Sequence, residues 1–131
     1  MSKIKIGYAG LTHLGISSAA AAAEKGFQVM GFHDNANYIA DINNGRLPIV
    51  EPGLDNLVRK NLSRLTFSSD AVSLADCDIV YISVDVPTDG NGKSDLKPID
   101  KMIVICEKII KADALMAVSY THLTLPTIYS V

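Results

Sequence analysis

Near the start of the chain, two glycines flank a short turn between an apolar run, Ile4 to Tyr8, and a helix-forming run, Ser17 to Lys25. The turn consists of Gly10, Leu11, Thr12, His13, Leu14 and Gly15. Glycine lets the backbone reverse tightly, and the helix that follows points unpaired N–H groups into the turn. The pattern therefore predicts an anion site of the kind that holds phosphate.

The donors at this site must come from the main chain. No Lys or Arg occurs between Lys5 and Lys25, so we expect backbone amides and the partial positive charge of a helix N-terminus to hold the anion. A Walker-type loop would need a lysine directly after the second glycine, and Ile16 stands there. This substitution argues against ATP hydrolysis.

A second apolar strand, Gln28 to His33, ends at Asp34. Strand, turn, helix, strand and acid follow one another as in a dinucleotide-binding βαβ unit, where the acid hydrogen-bonds the adenosine ribose. Thr12 occupies the second glycine position of that fingerprint. Its side chain favours the alternative that Gly10 and Gly15 serve only a tight turn and close helix packing.

Composition narrows the class of protein. The chain has 131 residues and a net charge of −2, and without a basic cluster we expect neither nucleic acid nor an anionic membrane as partner. No apolar run approaches the length of a membrane span, so we expect a cytoplasmic protein. Cys77 and Cys106 are too few for a zinc site or a disulfide framework, and we expect both to be buried.

Alternating strand and helix patterns predict an α/β fold, a Rossmann-type doubly wound parallel sheet that is incomplete at the C-terminus. The predicted strands are Lys3–Tyr8, Gln28–His33, Leu65–Phe67, Ile79–Val84 and Ala114–Val118. The predicted helices are Ile16–Lys25, Asn37–Asn43, Gly53–Lys60, Asp70–Ala75 with Ser69 as its cap, and Ile99–Ile110 with an apolar stripe assigned to the core.

The segment after the fourth strand belongs to the predicted site. In a doubly wound sheet the ligand crevice lies beyond the carboxyl ends of the strands. We therefore expect the last residue of this strand, Val84, and the residues that follow it, Val86, Pro87 and Thr88, to face the same ligand as the Gly10 turn. Asp89 to Gly92 is interpreted as an ordinary surface turn.

Three separated motifs occur in a characteristic order: the turn Gly10–Gly15, Glu51-Pro52-Gly53-Leu54, and Val84 to Asp89. Together with Asn44 to Pro48 they resemble the N-terminal domain of the UDP-glucose/GDP-mannose dehydrogenase family. The resemblance implies NAD as cofactor, a nucleotide sugar as substrate of the full-length parent, and oxidation of the sugar C6 hydroxyl to a carboxylate with two NAD. It leaves a homo-oligomeric parent open.

The chain departs from the family pattern at the ribose end. His33 stands where the family has its ribose-binding acid, and Asp34 follows one place later. Since neighbouring strand residues face opposite ways, either Asp34 reaches the ribose through a twist or His33 donates to it. Asp34 and the lack of Arg between Gly10 and Asn44 disfavour NADP. Val86 replaces a residue that is often threonine.

The resemblance places the catalytic cysteine, lysine and aspartate beyond residue 131, so no catalytic residue and no metal site is predicted here, and the fragment is expected to be inactive. Glu51 is expected to fix the Pro52–Gly53 loop. We interpret residues 1–117 as a partial NAD-binding domain and 118–131 as a non-native tail, because Val118 to Thr127 matches a translated sequencing adapter. Two alternatives are a hydroxyacid or phosphogluconate-type dehydrogenase and a non-catalytic NAD-binding module.

Overall fold

A computed structural model of the chain describes residues 4–48, 51–84, 96–118 and 127–130. Within these ranges the chain forms a six-stranded sheet in the order β3-β2-β1-β4-β5-β6, with β6 antiparallel to β5 and the other pairs parallel. The strands are β1 (Lys5–Ala9), β2 (Gln28–Phe32), β3 (Leu65–Ser68), β4 (Ile79–Ile82), β5 (Leu115–Val118) and β6 (Thr127–Ser130). The predicted doubly wound parallel sheet is confirmed.

Helices cover both faces of the sheet. They are α1 (His13–Glu24), α2 (Ala36–Asn43), α3 (Leu54–Lys60), a 3-10 helix (Ala71–Leu74) and α4 (Lys97–Glu107). On one face, Ile16 of α1, Ile39 of α2 and Val58 of α3 share a core with β1 to β3. On the other face, Leu74 and the α4 stripe pack against β4 and β5. The strand order reverses direction between β1 and β4, as in doubly wound folds.

Local details differ from the sequence-based expectations. Ser69 does not cap the short helix: the Asp70 side chain accepts from the Val72 N–H and is its N-cap. A carboxylate one position later satisfies the first free donor of the 3-10 helix. Strand β2 ends at Phe32 rather than His33. Strand β6 was not predicted, and it lies within residues 118–131.

A buried amide joins the end of α1 to α3. Asn61 is fully buried, and its Nδ2 donates to Glu24 Oε2 at 3.0 Å and to the Leu57 carbonyl at 2.9 Å. Arg64 donates to Asn61 Oδ1 at 2.7 Å and to the Ala23 carbonyl at 2.9 Å. Hydrogen bonds from Lys60 and then from Asn61 hold the pKa of Glu24 below its ordinary value. This network ties the C-terminal end of α1 to the C-terminal end of α3 and to the residue before β3.

We expect Asn61→Ala to lower the free energy of unfolding by about 1–3 kcal/mol, because it leaves buried partners on Arg64 and Leu57 unpaired. Urea unfolding followed by circular dichroism measures the change. The exposed Asn56 on the same helix is the matched control, and Asn56→Ala should change stability by less than about 0.5 kcal/mol. Equal effects of the two variants would contradict a stabilising role for the network.

Candidate functional site

Gly10 joins the ends of three strands. Its φ is +111°, and its N–H donates to the Phe32 carbonyl at the end of β2, at 2.9 Å. A Cβ on Gly10 would lie 2.8 Å from the Ser83 carbonyl oxygen and 2.8 Å from Val84 Cγ1, just past β4. The conformation and the space both require glycine here. The turn after β1 thus contacts the ends of β2 and β4 directly.

Gly15 allows α1 to begin very close to the sheet. A Cβ at this position would lie 2.1 Å from the Gly10 carbonyl oxygen, which is far inside van der Waals contact. The first turn of α1 therefore packs backbone against backbone with the end of β1. This contact gives the second glycine of the turn a packing role and also sets where the helix points its free N–H groups.

The first turn of α1 is open toward the ligand side. Its first intrahelical hydrogen bond runs from Ile16 N–H to the Thr12 carbonyl, at 2.9 Å. Thr12 is the N-cap residue, but its side chain makes no capping hydrogen bond. Its hydroxyl instead donates to the Ser83 carbonyl at 2.9 Å. The N–H groups of residues 13–15 therefore have no partner within the helix and remain donors for an anion.

His33 and Asp34 lie beyond the end of β2. The Asn35 N–H donates to His33 Nδ1 at 3.1 Å, and the His33 ring stacks on Tyr38 with centroids 4.2 Å apart. Asp34 is 63% exposed, and its Oδ1 lies 3.5 Å from His33 Nδ1. Because the strand ends at Phe32, strand alternation does not force the two side chains to opposite faces. Both alternatives for the ribose contact are compatible with this geometry.

A cleft of about 180 Å³ brings these groups together. Of the predicted site residues, it is lined by Gly10, Thr12, His33, Asp34 and Val84. Helix α4 adds four residues that the sequence analysis did not assign to a site: Pro98, Lys101, Met102 and Ile105. Met102 belongs to the apolar stripe of α4 and packs in the core, and it also lines the cleft. In a doubly wound fold the helix after β4 starts at the ligand edge, and that rule could have pointed to its first turns.

Some predicted residues lie elsewhere or outside the described part of the chain. The Leu11 side chain is fully buried, so this residue can meet a ligand only through its main chain. The side chains of His13 and Leu14, and all of Val86, Pro87 and Thr88, lie outside the described residues. Glu51 accepts a hydrogen bond from Ser17 Oγ at 3.2 Å, which ties its loop to α1 as a structural role would require.

A larger cavity of about 440 Å³ lies between the end of α2 and α3. Its lining includes Ile42, Leu47, Asp55 and Arg59, and none of the predicted site residues. The smaller cleft, by contrast, lies beyond the carboxyl ends of β1, β2 and β4, which is where open α/β sheets bind ligands.

The described residues offer neither a reactive thiol nor a metal cluster. Burial raises the pKa of the Cys77 thiol to about 11 and that of Cys106 to about 12. Within the same ranges, no group of three or more His, Cys, Asp or Glu could hold a metal ion, and no helix is long and apolar enough to cross a membrane.

The cleft crosses the sheet where the strand order reverses, and this position, with a glycine turn opening α1, defines a dinucleotide-binding domain of the Rossmann type. The family model of the UDP-glucose/GDP-mannose dehydrogenase family, NAD binding domain, matches residues 4–125. The chain belongs to this family. The match confirms the predicted family and the predicted cofactor, NAD, and it overlaps the beginning of the segment interpreted as a non-native tail.

Known proteins similar to the chain agree with this assignment. The UDP-glucose 6-dehydrogenase TuaD of Bacillus subtilis is 39% identical over 95 residues, which are 70% of this chain and 21% of TuaD. The GDP-mannose 6-dehydrogenase of Pseudomonas syringae is 33% identical over 109 residues, 81% of this chain and 24% of that protein. The UDP-glucose dehydrogenase structure from Pyrobaculum islandicum superposes with a TM-score of 0.83 at 28% identity, covering 92% of this chain and 29% of that one. The chain thus spans less than a third of each of these proteins.

We expect Gly15→Ala to displace α1, because the new Cβ has no room beside the Gly10 carbonyl. Overpacking of this kind costs about 1–3 kcal/mol of stability, and the shifted N–H groups should lose most of their affinity for NAD. Thermal unfolding and NAD titration measure the two effects. Ser18→Ala, on the same helix, should preserve both properties. An unchanged NAD affinity in Gly15→Ala would show that the close contact does not position the site.

We expect both cysteines to react slowly with iodoacetamide at pH 8 in the folded chain and quickly in denaturant, because the buried thiols stay protonated. The folded state holds these protons to a higher pH than the unfolded state does. Stability should therefore be undiminished below about pH 9 and should fall as the pH rises toward 11. Mass spectrometry counts the labels, and fast labelling of the folded chain would contradict the burial of the thiols.

Proposed function

We propose that this chain is the cofactor-binding part of a nucleotide-sugar 6-dehydrogenase. The observation that carries the proposal is the cleft itself, which places the open start of α1 beside His33, Asp34 and the end of β4. NAD would lie across it, with its diphosphate on the N–H groups of residues 13–15 and its adenosine ribose at His33 and Asp34. The family match supports this assignment against the other two classes considered from the sequence.

The longer protein would oxidise the C6 hydroxyl of a nucleotide sugar to a carboxylate. Two hydrides would pass in turn to two NAD molecules, and water would supply the second carboxylate oxygen. The similarity to UDP-glucose and GDP-mannose 6-dehydrogenases supports this reaction class. The 131-residue chain by itself would turn over no nucleotide sugar, since its two thiols are buried and protonated.

The remaining predicted contacts follow from the same orientation of NAD. Val84 lines the cleft next to the glycine turn, and we propose Val86, Pro87 and Thr88, which follow it in the sequence, as further cofactor contacts. Lys101 adds a cationic side chain to a cleft in which the sequence analysis expected main-chain donors alone. A positive charge of this kind would favour the cofactor's diphosphate.

We expect the chain to bind NAD more tightly than NADP in a calorimetric titration, because the Asp34 carboxylate repels a 2′-phosphate. Asp34→Asn should weaken NAD binding about tenfold, the effect of losing a charged hydrogen bond, and should narrow the preference for NAD. Asp76→Asn removes an exposed carboxylate before β4, at the opposite end of the strands, and serves as the control.

Two results would refute parts of this proposal. If the unmodified chain binds neither NAD nor NADP, the cleft is not a dinucleotide site. If it binds NAD and Asp34→Asn has no effect, the carboxylate does not hold the ribose and His33 remains as the candidate.

A further inference from the structure

Tyr38 on α2 contacts two segments that border the cleft, the glycine turn and the residues after β2. Its hydroxyl donates to the carbonyl of Leu11 in the glycine turn. Its ring stacks on His33, with centroids 4.2 Å apart and an angle of 21° between the rings. Leu11 is itself fixed, because its side chain is fully buried in the core. One side chain therefore connects the turn that faces the phosphates with the residue that stands at the ribose position.

The orientation of the His33 ring is defined on two sides. Its Nδ1 accepts from the Asn35 N–H, at 3.1 Å, and its face lies against Tyr38. Asn35 is held in turn, because its Oδ1 accepts from the N–H groups of Asn37 and Tyr38 at the start of α2. In a neutral imidazole whose Nδ1 is an acceptor, the proton is on Nε2. His33 can thus offer one N–H donor to a ligand.

We propose that Tyr38 is a positioning residue for cofactor recognition: its ring holds His33 so that Nε2–H donates to an adenosine ribose oxygen, and its hydroxyl holds the phosphate-binding turn. The proposal rests on the proposed function, because it needs NAD in the cleft. Ribose recognition would then combine a hydrogen-bond donor on His33 with an acceptor on Asp34. A carboxylate acting alone would supply acceptors only.

The hydrogen bond from Tyr38 to Leu11 and the stack of Tyr38 on His33 can be separated by substitution. Tyr38→Phe keeps a ring against His33 and removes the hydrogen bond to Leu11. Tyr38→Leu removes both. His33→Phe keeps an aromatic stack and removes the N–H donor. If the stack serves ribose recognition, Tyr38→Leu and His33→Phe should both weaken recognition of the ribose hydroxyls, and Tyr38→Phe should not.

The experiment compares two probes, AMP and 2′,3′-dideoxy-AMP, which differ only in the ribose hydroxyls. Both are titrated into the 131-residue chain, and dissociation constants are taken from NMR amide shifts. The ratio of the two constants measures hydroxyl recognition apart from phosphate and adenine binding. The imidazole ¹⁵N shifts of His33, assigned with His33→Phe, report whether its proton is on Nε2.

We expect the unmodified chain to prefer AMP about tenfold, in line with hydrogen bonds to two hydroxyls. Tyr38→Phe should weaken both probes equally, by about two- to tenfold, and keep the ratio. Tyr38→Leu should reduce the ratio at least threefold and alter the His33 shifts. The double variant His33→Phe/Tyr38→Leu should have the same ratio of dissociation constants as His33→Phe alone, because the two residues act through one contact.

Tyr81→Phe is the matched control, since Tyr81 stacks on Tyr8 in a separate aromatic pair with centroids 5.3 Å apart. It should leave the ratio and both affinities unchanged. A Tyr38→Leu chain that retains the full ratio and the His33 shifts overturns the proposal. If that variant does not fold, Tyr38→Phe decides: unchanged affinity for both probes also overturns it. Failure of the unmodified chain to bind NAD would instead refute the proposed function.

Discussion

The cleft depends on the contact between the first turn of α1 and the end of β1. A Cβ on Gly15 would lie only 2.1 Å from the Gly10 carbonyl oxygen. A Cβ on Gly10 would in turn lie only 2.8 Å from the Ser83 carbonyl oxygen. Three backbone segments therefore meet with nothing between them. This packing fixes where the helix begins, and the free N–H groups of its first turn consequently face the carboxyl ends of the strands.

Two interpretations of the glycines, packing and anion binding, looked like alternatives in the sequence. The geometry makes the two compatible, because the packing contact at Gly15 places the start of the helix, with its free N–H groups, at the cleft. Thr12 fits the same arrangement. Its hydroxyl donates to Ser83 and does not cap the helix, so the residue that departs from the glycine fingerprint leaves the N–H donors open.

Local pattern was enough to predict the five parallel strands, though not β6, and five of the nine residues that line the cleft. Strand and helix periodicities and glycine turns are local properties. The contacts that local pattern could not supply join distant segments. Lys101 reaches the cleft from α4, and Tyr38 meets Leu11 across 27 positions. Asn61 is an ordinary polar residue in the sequence, and only its burial beside Glu24 and Arg64 makes it structural. The cap at Asp70 shows the usual uncertainty of one residue at a helix start.

Positive and negative charges lie at different places around the cleft. The start of α1 carries partial positive charge and Lys101 a full one, whereas the exposed carboxylate of Asp34 lies just beyond the end of β2. A dinucleotide with its diphosphate at α1 and its ribose hydroxyls at Asp34 matches this distribution. The reverse orientation would bring two phosphate charges against a carboxylate and leave the helix N–H groups facing hydroxyls, so electrostatics and hydrogen bonding would both favour the proposed orientation.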